Sequence, residues 1–479
     1  MNVLLINPPA QGVYDTIDIK LPPLGLAYIA AVLRENGHNI KIVDLNVDDD
    51  LWGVVKERKW DVVGLSGDTS RYPISMEIAK QIKKNFGYTI LTGGPHVTFF
   101  EKETLNTGFV DFIIRGEGEY ITLHLLDALQ HHTPLENVRG ITFKRNGKFI
   151  KTLQAPVIKD LDSLPYPARD LLPMEKYKVT LFYGRPITSI LTSRGCPFNC
   201  YFCSSSQFSN LIWRRRSPKN IVDEIQYVIK KYDYHAFAFV DDNFTLNPKR
   251  VIEIAKEIVK RKLDIIWWAF SRVDELLGHE DMINWMAKSG CRMVFLGIES
   301  VSKKVLDEYN KGITANDSLK AVRLLKKYSI DTWGSFIIGA FDETREMIKN
   351  TVRFAKMLDP KNVQFSILTP FPGTRLYEDA ERMGIIQHKN WRYYDGAHAV
   401  MRTKYLKPEE IQRLLNEAYI SFYIRPHRLI RILPTIIRYL RELKGKRLRE
   451  KRIEEMILRG PNYEKNVVQR PHYIHNFNK

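Results

Sequence analysis

Three of the four cysteines in this 479-residue chain fall within eight residues, in TSRGCPFNCYFCSS (192–205). Cys196, Cys200 and Cys203 are spaced C-x3-C-x2-C, directly after a strand-like run. Three thiolates on one short loop can each ligate one iron of a cubane iron–sulfur cluster and leave the fourth iron open. A zinc site would want a fourth Cys or His close by. His235 and His279 are far away in sequence, and Cys291 lies at a strand start, where it reads as a buried small hydrophobe. Other residues with chemistry end apolar runs: Asp241, Asp242 and Asn243 in VDDNFT, Glu299 and Ser300 in GIES, Gly339 and Glu343 in GSFIIGAFDET. Each carboxylate has a structural reading beside the functional one. Asp241 or Asp242 could cap a helix or satisfy a loop, and Glu343 could be a favourable first-turn carboxylate.

The elements that must position these residues read as two alternating series. Residues 1–150 carry apolar runs at 2–6, 39–44, 61–66, 89–94 and 111–116, with helical patterns at 24–37, 74–87 and 120–132. Strands flanked by helices of that length predict a parallel, doubly wound sheet. Asn146-Gly147 between two strand-like arms is a hairpin signal. Residues 151–186, rich in proline, form a linker. A second series over 187–404 has six strand-like runs (187–195, 236–242, 265–272, 292–300, 332–340 and 363–370) with helical patterns between them, which fits a partial (β/α)6 barrel. Residues 405–479 are helical and basic. Within them 425–459 hold twelve Lys/Arg against four Asp/Glu, and Leu429, Leu433, Ile436, Leu440 and Leu443 form an apolar stripe that Pro434 should kink.

Composition bounds the class. An apolar content of 44% is ordinary globular content and excludes a disordered or fibrous chain. No run of 18 apolar residues predicts a spanning helix, and the start MNVLLINPPA lacks the features of a signal peptide, so the chain is expected in the cytoplasm. Four cysteines exclude a disulfide scaffold. The net charge of +18 suggests an anionic partner. No recognition motif accompanies it, so nucleic acid is not favoured. The basic tail is either a solvated helix capping the barrel or a helix lying on a membrane surface, and the charge suits the second.

The C-x3-C-x2-C loop, with an aromatic just before its last Cys, resembles the radical S-adenosylmethionine (SAM) superfamily. The resemblance implies a [4Fe-4S] cluster on Cys196, Cys200 and Cys203, SAM chelated to the open iron, and reductive cleavage to a 5′-deoxyadenosyl radical that takes hydrogen from an unactivated carbon. It implies an electron donor such as ferredoxin or flavodoxin. It carries over Phe202 as the aromatic near adenine, Glu299 with Ser300 toward SAM's polar groups, Asp241 and Asp242 at the second strand end, and Gly339 near adenine.

The N-terminal segments NPP, PPLGLAYIAAVL, GLSGDTSR, TGGPHVT and RGEGE resemble the cobalamin-binding, Rossmann-like domain fused ahead of many radical SAM enzymes. A doubly wound sheet binds its ligand at the C-terminal strand ends. The loops there carry Ser66, Thr69, Gly93, Gly94, His96, Gly116 and Glu117 as the cobalamin-binding candidates. Glycines 93, 94, 116 and 118 permit close approach to a large flat ligand. The D-x-H-x-x-G motif of a histidine lower ligand is absent, so cobalt would be bound without it, and a Rossmann nucleotide site lacks its G-x-G-x-x-G. The combined resemblance covers roughly residues 1–400. It includes the anaerobic cyclase of bacteriochlorophyll synthesis and enzymes that methylate or cyclise membrane lipids. It implies hydrogen abstraction followed by cobalamin-assisted methyl transfer or ring formation, and the tail favours a lipid or isoprenoid substrate. The alternatives are a methylthiotransferase-like RNA or protein modification, which needs cysteines for a second cluster, and a non-catalytic cobalamin or metal sensor.

Overall fold

A computed structural model describes residues 1–10, 19–426, 428 and 448–463, and they form two seven-stranded sheets and a two-stranded ribbon. In the first sheet β1 (Asn2–Asn7), β2 (Asn39–Asp44), β3 (Val62–Ser66), β4 (Thr89–Gly93) and β5 (Phe112–Ile114) are parallel, in the order β2-β1-β3-β4-β5. These strands read as near-continuous apolar runs because helices cover both faces. Leu24–Glu35 and Gly118–Gln130 pack on one side, Leu51–Lys56 and Tyr72–Phe86 on the other. The sheet ends in a hairpin of β6 (Ile141–Arg145) and β7 (Lys148–Lys151). Its turn residues Asn146 and Gly147 both have positive φ, +51° and +76°, as a type I′ turn requires.

The proline-rich stretch that follows packs as a crosspiece of 3₁₀ turns (Leu161–Ser163, Arg169–Leu171, Met174–Val179). The Ala168 N–H donates to the Ala27 carbonyl, and the Tyr177 hydroxyl donates to Asp44 at 2.6 Å. Arg169 is wholly buried and donates to Glu224 at 2.7 Å. Glu224 also accepts from Arg216, so one carboxylate inside the protein joins the crosspiece to the first helix of the barrel.

In the second sheet β8 (Leu181–Phe182) pairs antiparallel with β9 (Arg185–Ile190). β9 is followed in space by β12 (Ala236–Phe239), β13 (Ile266–Arg272), β14 (Cys291–Glu299), β15 (Asp331–Ile338) and β16 (Asn362–Ile367). Those six are parallel and adjacent in chain order, the six units expected of a partial barrel. The run expected as one strand over 187–195 is broken. β10 (Ser193–Arg194) leaves the sheet to pair antiparallel with β11 (Arg214–Arg215). Helices Pro218–Tyr232, Pro248–Lys260, Ala315–Lys327, Arg345–Leu358 and Arg375–Arg382 start at side-chain caps Ser217, Asn247, Thr314, Thr344 and Thr374.

Strand alternation sorts the barrel's faces. Phe237, Phe239, Trp267, Val294 and Phe336 pack outward under the helices, while Trp268 packs against Ile187, Ala236 and Ala238 on the concave side. Trp268, Phe270, Phe295 and Trp333 form a continuous row there, with centroid spacings of 5.0, 5.0 and 5.4 Å from each ring to the next. The free edge of β16 is satisfied by side chains. Tyr419 and Tyr423, on helix Pro408–Tyr423, each place a hydroxyl to receive and return a strand hydrogen bond at Phe365 and Val363. An open strand edge is thereby blunted without another strand.

The chain then returns to the first sheet. Residues 448–459 are helical and bury Ile453, Met456 and Ile457 against Leu51, Trp52 and Val55, with the Trp52 indole donating to the Met456 carbonyl at 2.8 Å. The expected apolar stripe from Leu429 to Leu443, with its kink at Pro434, lies outside the described residues. No described helix is long and apolar enough to cross a membrane.

Burial raises the Glu224 carboxyl, but Arg216 and Arg169 outweigh it and hold it below the usual carboxylate range. Its stabilisation is therefore complete at neutral pH and is lost as pH falls below that range. Glu224→Ala strands two buried guanidiniums and should cost about 3–5 kcal/mol, read as an earlier urea midpoint. Glu224→Gln should flatten the acid limb of stability against pH.

Candidate active site

The cysteine loop is pinched at its neck. β10 and β11 close it, and the Asp241 carboxylate, fully buried, accepts the Thr192 N–H at 2.7 Å and the Thr192 and Ser193 hydroxyls at 2.5 Å. Arg250 donates to the Thr192 carbonyl at 2.6 Å. Asp242 takes the Gly195 N–H at 3.2 Å. Gly195 has φ +83°, and a Cβ there would lie 2.2 Å from the Ile212 carbonyl oxygen, so the residue before Cys196 has to be glycine. The Tyr201 N–H donates to the Tyr309 carbonyl, the Asn310 amide to the Asn199 carbonyl, and Cys203 caps a short helix, Ser204–Phe208.

The three thiols are half-buried and unbonded to one another. Burial pushes Cys196 up to about 11 and raises Cys200 against the pull of Lys311 and Arg272. Arg272 lies 3.7 Å from Cys200 Sγ, stacks 3.7 Å over the Phe198 ring and donates to the Lys311 carbonyl at 2.8 Å. Lys311, buried, pairs with Glu299 at 2.8 Å. Among the described residues no three His, Cys, Asp or Glu converge on one ion-sized point. A four-iron cluster asks for something else, one thiolate on each of three irons, and two cations beside Cys200 suit the negative charge of such a group. The donor set fits the cluster.

Around this loop the structure gathers some expected residues and reassigns others. Phe202 meets the Tyr309 ring edge-on at 5.1 Å and packs with Ala340. Gly339 (φ +90°) and Ala340 donate their N–H groups to Glu343 at 2.7 and 3.2 Å. Glu343 precedes the helix cap Thr344 and does not open the helix. It is buried, which pushes its carboxyl up to about 7. Glu299 ends β14 at φ +64°, between Lys311 and the Ser335 hydroxyl. Asp241 is spent on the neck of the loop and offers no free oxygen to a ligand. Ser300 likewise accepts the Ser302 N–H and shares a hydrogen bond with Thr351, so it orders the turn after β14.

Between the two sheets lies an open cavity of about 380 Å³. One wall is the end of the first sheet: Ser66, Gly93, Gly94 and Gly116, nearly bare of side chains. Gly94 has φ +115°, and a Cβ on it would come 2.7 Å from the Gly67 carbonyl. The opposite wall is Ser193, Arg194, Gly195 and Asp242, the neck of the cysteine loop. A broad, flat, side-chain-poor wall fits a large planar cofactor, and among the described residues no His, Cys or Met lines the cavity to ligate its metal.

Glu117 lines this cavity, but its oxygens are taken by Arg194 (3.0 Å), Arg214 (2.7 Å) and the Ile158 N–H (2.8 Å), so it clamps the domains. Arg194 also holds Glu119 at 2.6 Å. Thr69 and His96 are not on the wall. His96 is buried between Tyr72, Phe100 and Trp391 at centroid distances of 4.1, 5.4 and 4.9 Å, and burial pushes it down to about 3. Sequence reasoning missed Arg194, Arg272, Lys311 and Tyr309. Two of them, Arg194 and Arg272, end strand runs and were legible by position.

Comparisons agree with this geometry. The Radical SAM superfamily model matches residues 190–355 and the B12 binding domain model residues 11–126. The chain is 41% identical to an uncharacterised methyltransferase of Pyrococcus horikoshii, over 90% of this chain and 94% of that protein. It is 30% identical to the anaerobic magnesium-protoporphyrin IX monomethyl ester cyclase of Rubrivivax gelatinosus, over 86% and 75%. In fold it is similar to the methyltransferase TsrM of Kitasatospora setae (TM-score 0.67, 18% identity, 86% and 81% covered) and to the cobalamin-dependent enzyme OxsB (TM-score 0.72, 20% identity, 88% and 67% covered).

Cys200→Ala should lose bound iron and sulfide after anoxic reconstitution, read by elemental and sulfide analysis. Gly94→Val, strained and walled in, should cut cobalt retained after gel filtration at least about tenfold, with iron unchanged.

Proposed function

The chain belongs to the radical SAM enzymes that carry a B12-binding domain, and from that premise we propose that it transfers a methyl group to an sp3 carbon of an apolar substrate held on the concave face of the barrel. As an enzyme of this family it uses a [4Fe-4S] cluster, SAM and cobalamin, and radical SAM enzymes generally need a one-electron donor. Together these groups supply a carbon-centred oxidant and a transferable methyl group.

The chain's own residues would do the positioning. Cys196, Cys200 and Cys203 would hold the cluster, with Arg272 and Lys311 balancing its charge. Phe202 and the Gly339–Ala340 turn, set by Glu343, would bound the adenine side, and Glu299 would face the polar groups of SAM. The Gly93–Gly94 wall would seat the cobalamin. The observation that carries the substrate class is the aromatic row Trp268, Phe270, Phe295 and Trp333, partly open to the barrel interior. Such a floor offers large apolar contact and little hydrogen bonding, which suits a lipid, isoprenoid or polycyclic skeleton. Five curated relatives are named for such skeletons, among them hopanoid C-3 methylase of Methylococcus capsulatus and the cyclase above.

Incubating the loaded enzyme with reductant, methyl-labelled SAM and an apolar extract should yield 5′-deoxyadenosine and a product heavier by one labelled methyl. A product lacking the label but poorer in hydrogen would make the reaction a ring closure. Trp333→Ala should raise KM about tenfold or more, with SAM cleavage in the absence of substrate unchanged.

A further inference from the structure

The end of the barrel opposite the cysteine loop carries a surface that the reaction does not use. The β8–β9 hairpin turns there at Tyr183, whose hydroxyl bonds to Asp331 at the start of β15 and whose ring lies 3.9 Å under Lys361 Nζ. One edge of the sheet thus reaches the other. From Lys361 the contacts continue. Arg428 donates to its carbonyl at 3.1 Å, Arg425 and Arg428 both reach Asp359 Oδ1 at 2.7 and 2.6 Å, Arg425 donates to the Lys356 carbonyl at 3.2 Å, and Lys356 Nζ donates to Ser421 Oγ at 2.8 Å. Hairpin and two helix ends are therefore neighbours on one face. Across it Val179, Leu181, Tyr183, Met357, Ile420 and Ile424 stand exposed, from 43% for Tyr183 to 63% for Val179.

Scattered exposed hydrophobes need no account, but a group of large ones on one face marks an interaction site. Two exposed cations interleave it, Lys178 and Lys361, each sharing an exposed aspartate, Asp233 or Asp331, while the less exposed Arg425 and Arg428 are held on Asp359. Beyond Arg428 the sequence 429–447 adds six Lys/Arg against one Glu. We propose that this face docks on an anionic lipid bilayer. The apolar tips enter the headgroup boundary and the cations meet lipid phosphates and carboxylates. The basic excess of the sequence 429–447, which continues directly from this face, selects an anionic sheet over a neutral protein surface. Docked this way, the cysteine loop and the domain cavity, at the other ends of the same strands, face water. The proposal stands independently of the reaction proposed above.

The test is flotation of the full-length protein with phosphatidylcholine vesicles, with and without phosphatidylserine. The protein should float only with the anionic vesicles. Ile420→Glu/Ile424→Glu, which leaves 429–447 intact, should weaken that binding at least about tenfold at unchanged Tm and iron content. Leu153→Glu, exposed on the other domain, should bind as wild type. Three outcomes overturn the proposal: wild type that does not float, a double variant that floats like wild type, or a wild-type dimer that the double variant dissociates and that ignores vesicles, which would make the face a contact between copies.

Discussion

The site depends first on one buried carboxylate that touches no ligand. Asp241 lies two residues beyond β12 with no exposed surface, and a charge there has to be matched by donors. Its donors all come from Thr192 and Ser193, with Arg250 at 4.0 Å behind them. Meeting that demand pulls the chain out of β9 after Ile190 and turns it into β10. Gly195 and Cys196 follow at once, so the place of the first cysteine is set by the solvation of an aspartate one strand away. The neighbouring Asp242 adds the Gly195 N–H, and the ribbon with β11 shuts the loop behind Cys203. A loop fixed at its neck can present three thiols at constant separation, which a rigid inorganic cluster requires.

The charge of the chain is not all surface. Arg169, Arg194, Arg214, Arg216, Arg250, Arg272 and Lys311 are buried or nearly so; Arg194 and Arg214 line the domain cavity, and Arg272 and Lys311 stand beside Cys200. Burying a cation is costly unless it is paired. Each of these meets a carboxylate, a carbonyl or a hydroxyl, and Lys311, which burial alone would push down, is held up by Glu299. The result is a set of fixed ion pairs in low dielectric, which hold the loops they join far more firmly than mobile surface lysines could.

The sequence was informative where periodicity and local spacing decide the outcome. The six barrel strands and the five of the first sheet follow from apolar runs of the right length, and Asn146-Gly147 turns as its φ values demand. The burial of Cys291, which donates to the Met293 carbonyl at 3.6 Å, was also legible. What sequence could not decide was the partner of each polar side chain. Asp241 and Asp242 are adjacent and chemically alike, yet one is consumed by the neck and the other lines the cavity, because successive residues leaving a strand point to opposite faces. Glu117 looked like a ligand contact until Arg194 and Arg214, 77 and 97 residues away, arrived at its oxygens. His96 sits beside Gly94 in sequence, but helix Pro95–Phe99 rotates it into an aromatic core that excludes any hydrogen-bonding partner for its ring nitrogens. Ser300 was absorbed by a turn. These are long-range pairings, on which a single chain's pattern is silent.

The two halves behave mechanically as one body. Arg194 grips Glu117 and Glu119 from across the cavity, Arg169 and Arg216 share Glu224, and Tyr377, Trp391, Tyr394 and Val400, all beyond β16, lie in the same apolar cluster as β1 and β3. Helix 448–459 closes that cluster from outside. An opening of the cavity by hinge motion would have to break buried ion pairs and expose this shared core at once, which is far costlier than moving a loop. The cavity is therefore formed before its ligand arrives. A reaction that hands a group from a carrier on one domain to a carbon activated on the other needs the two centres at a set distance, and a rigid interface supplies it without any ordering cost at the moment of reaction. If the substrate lies on the barrel floor as proposed, the same rigidity leaves the fit to it to the aromatic side chains Trp268, Phe270, Phe295 and Trp333.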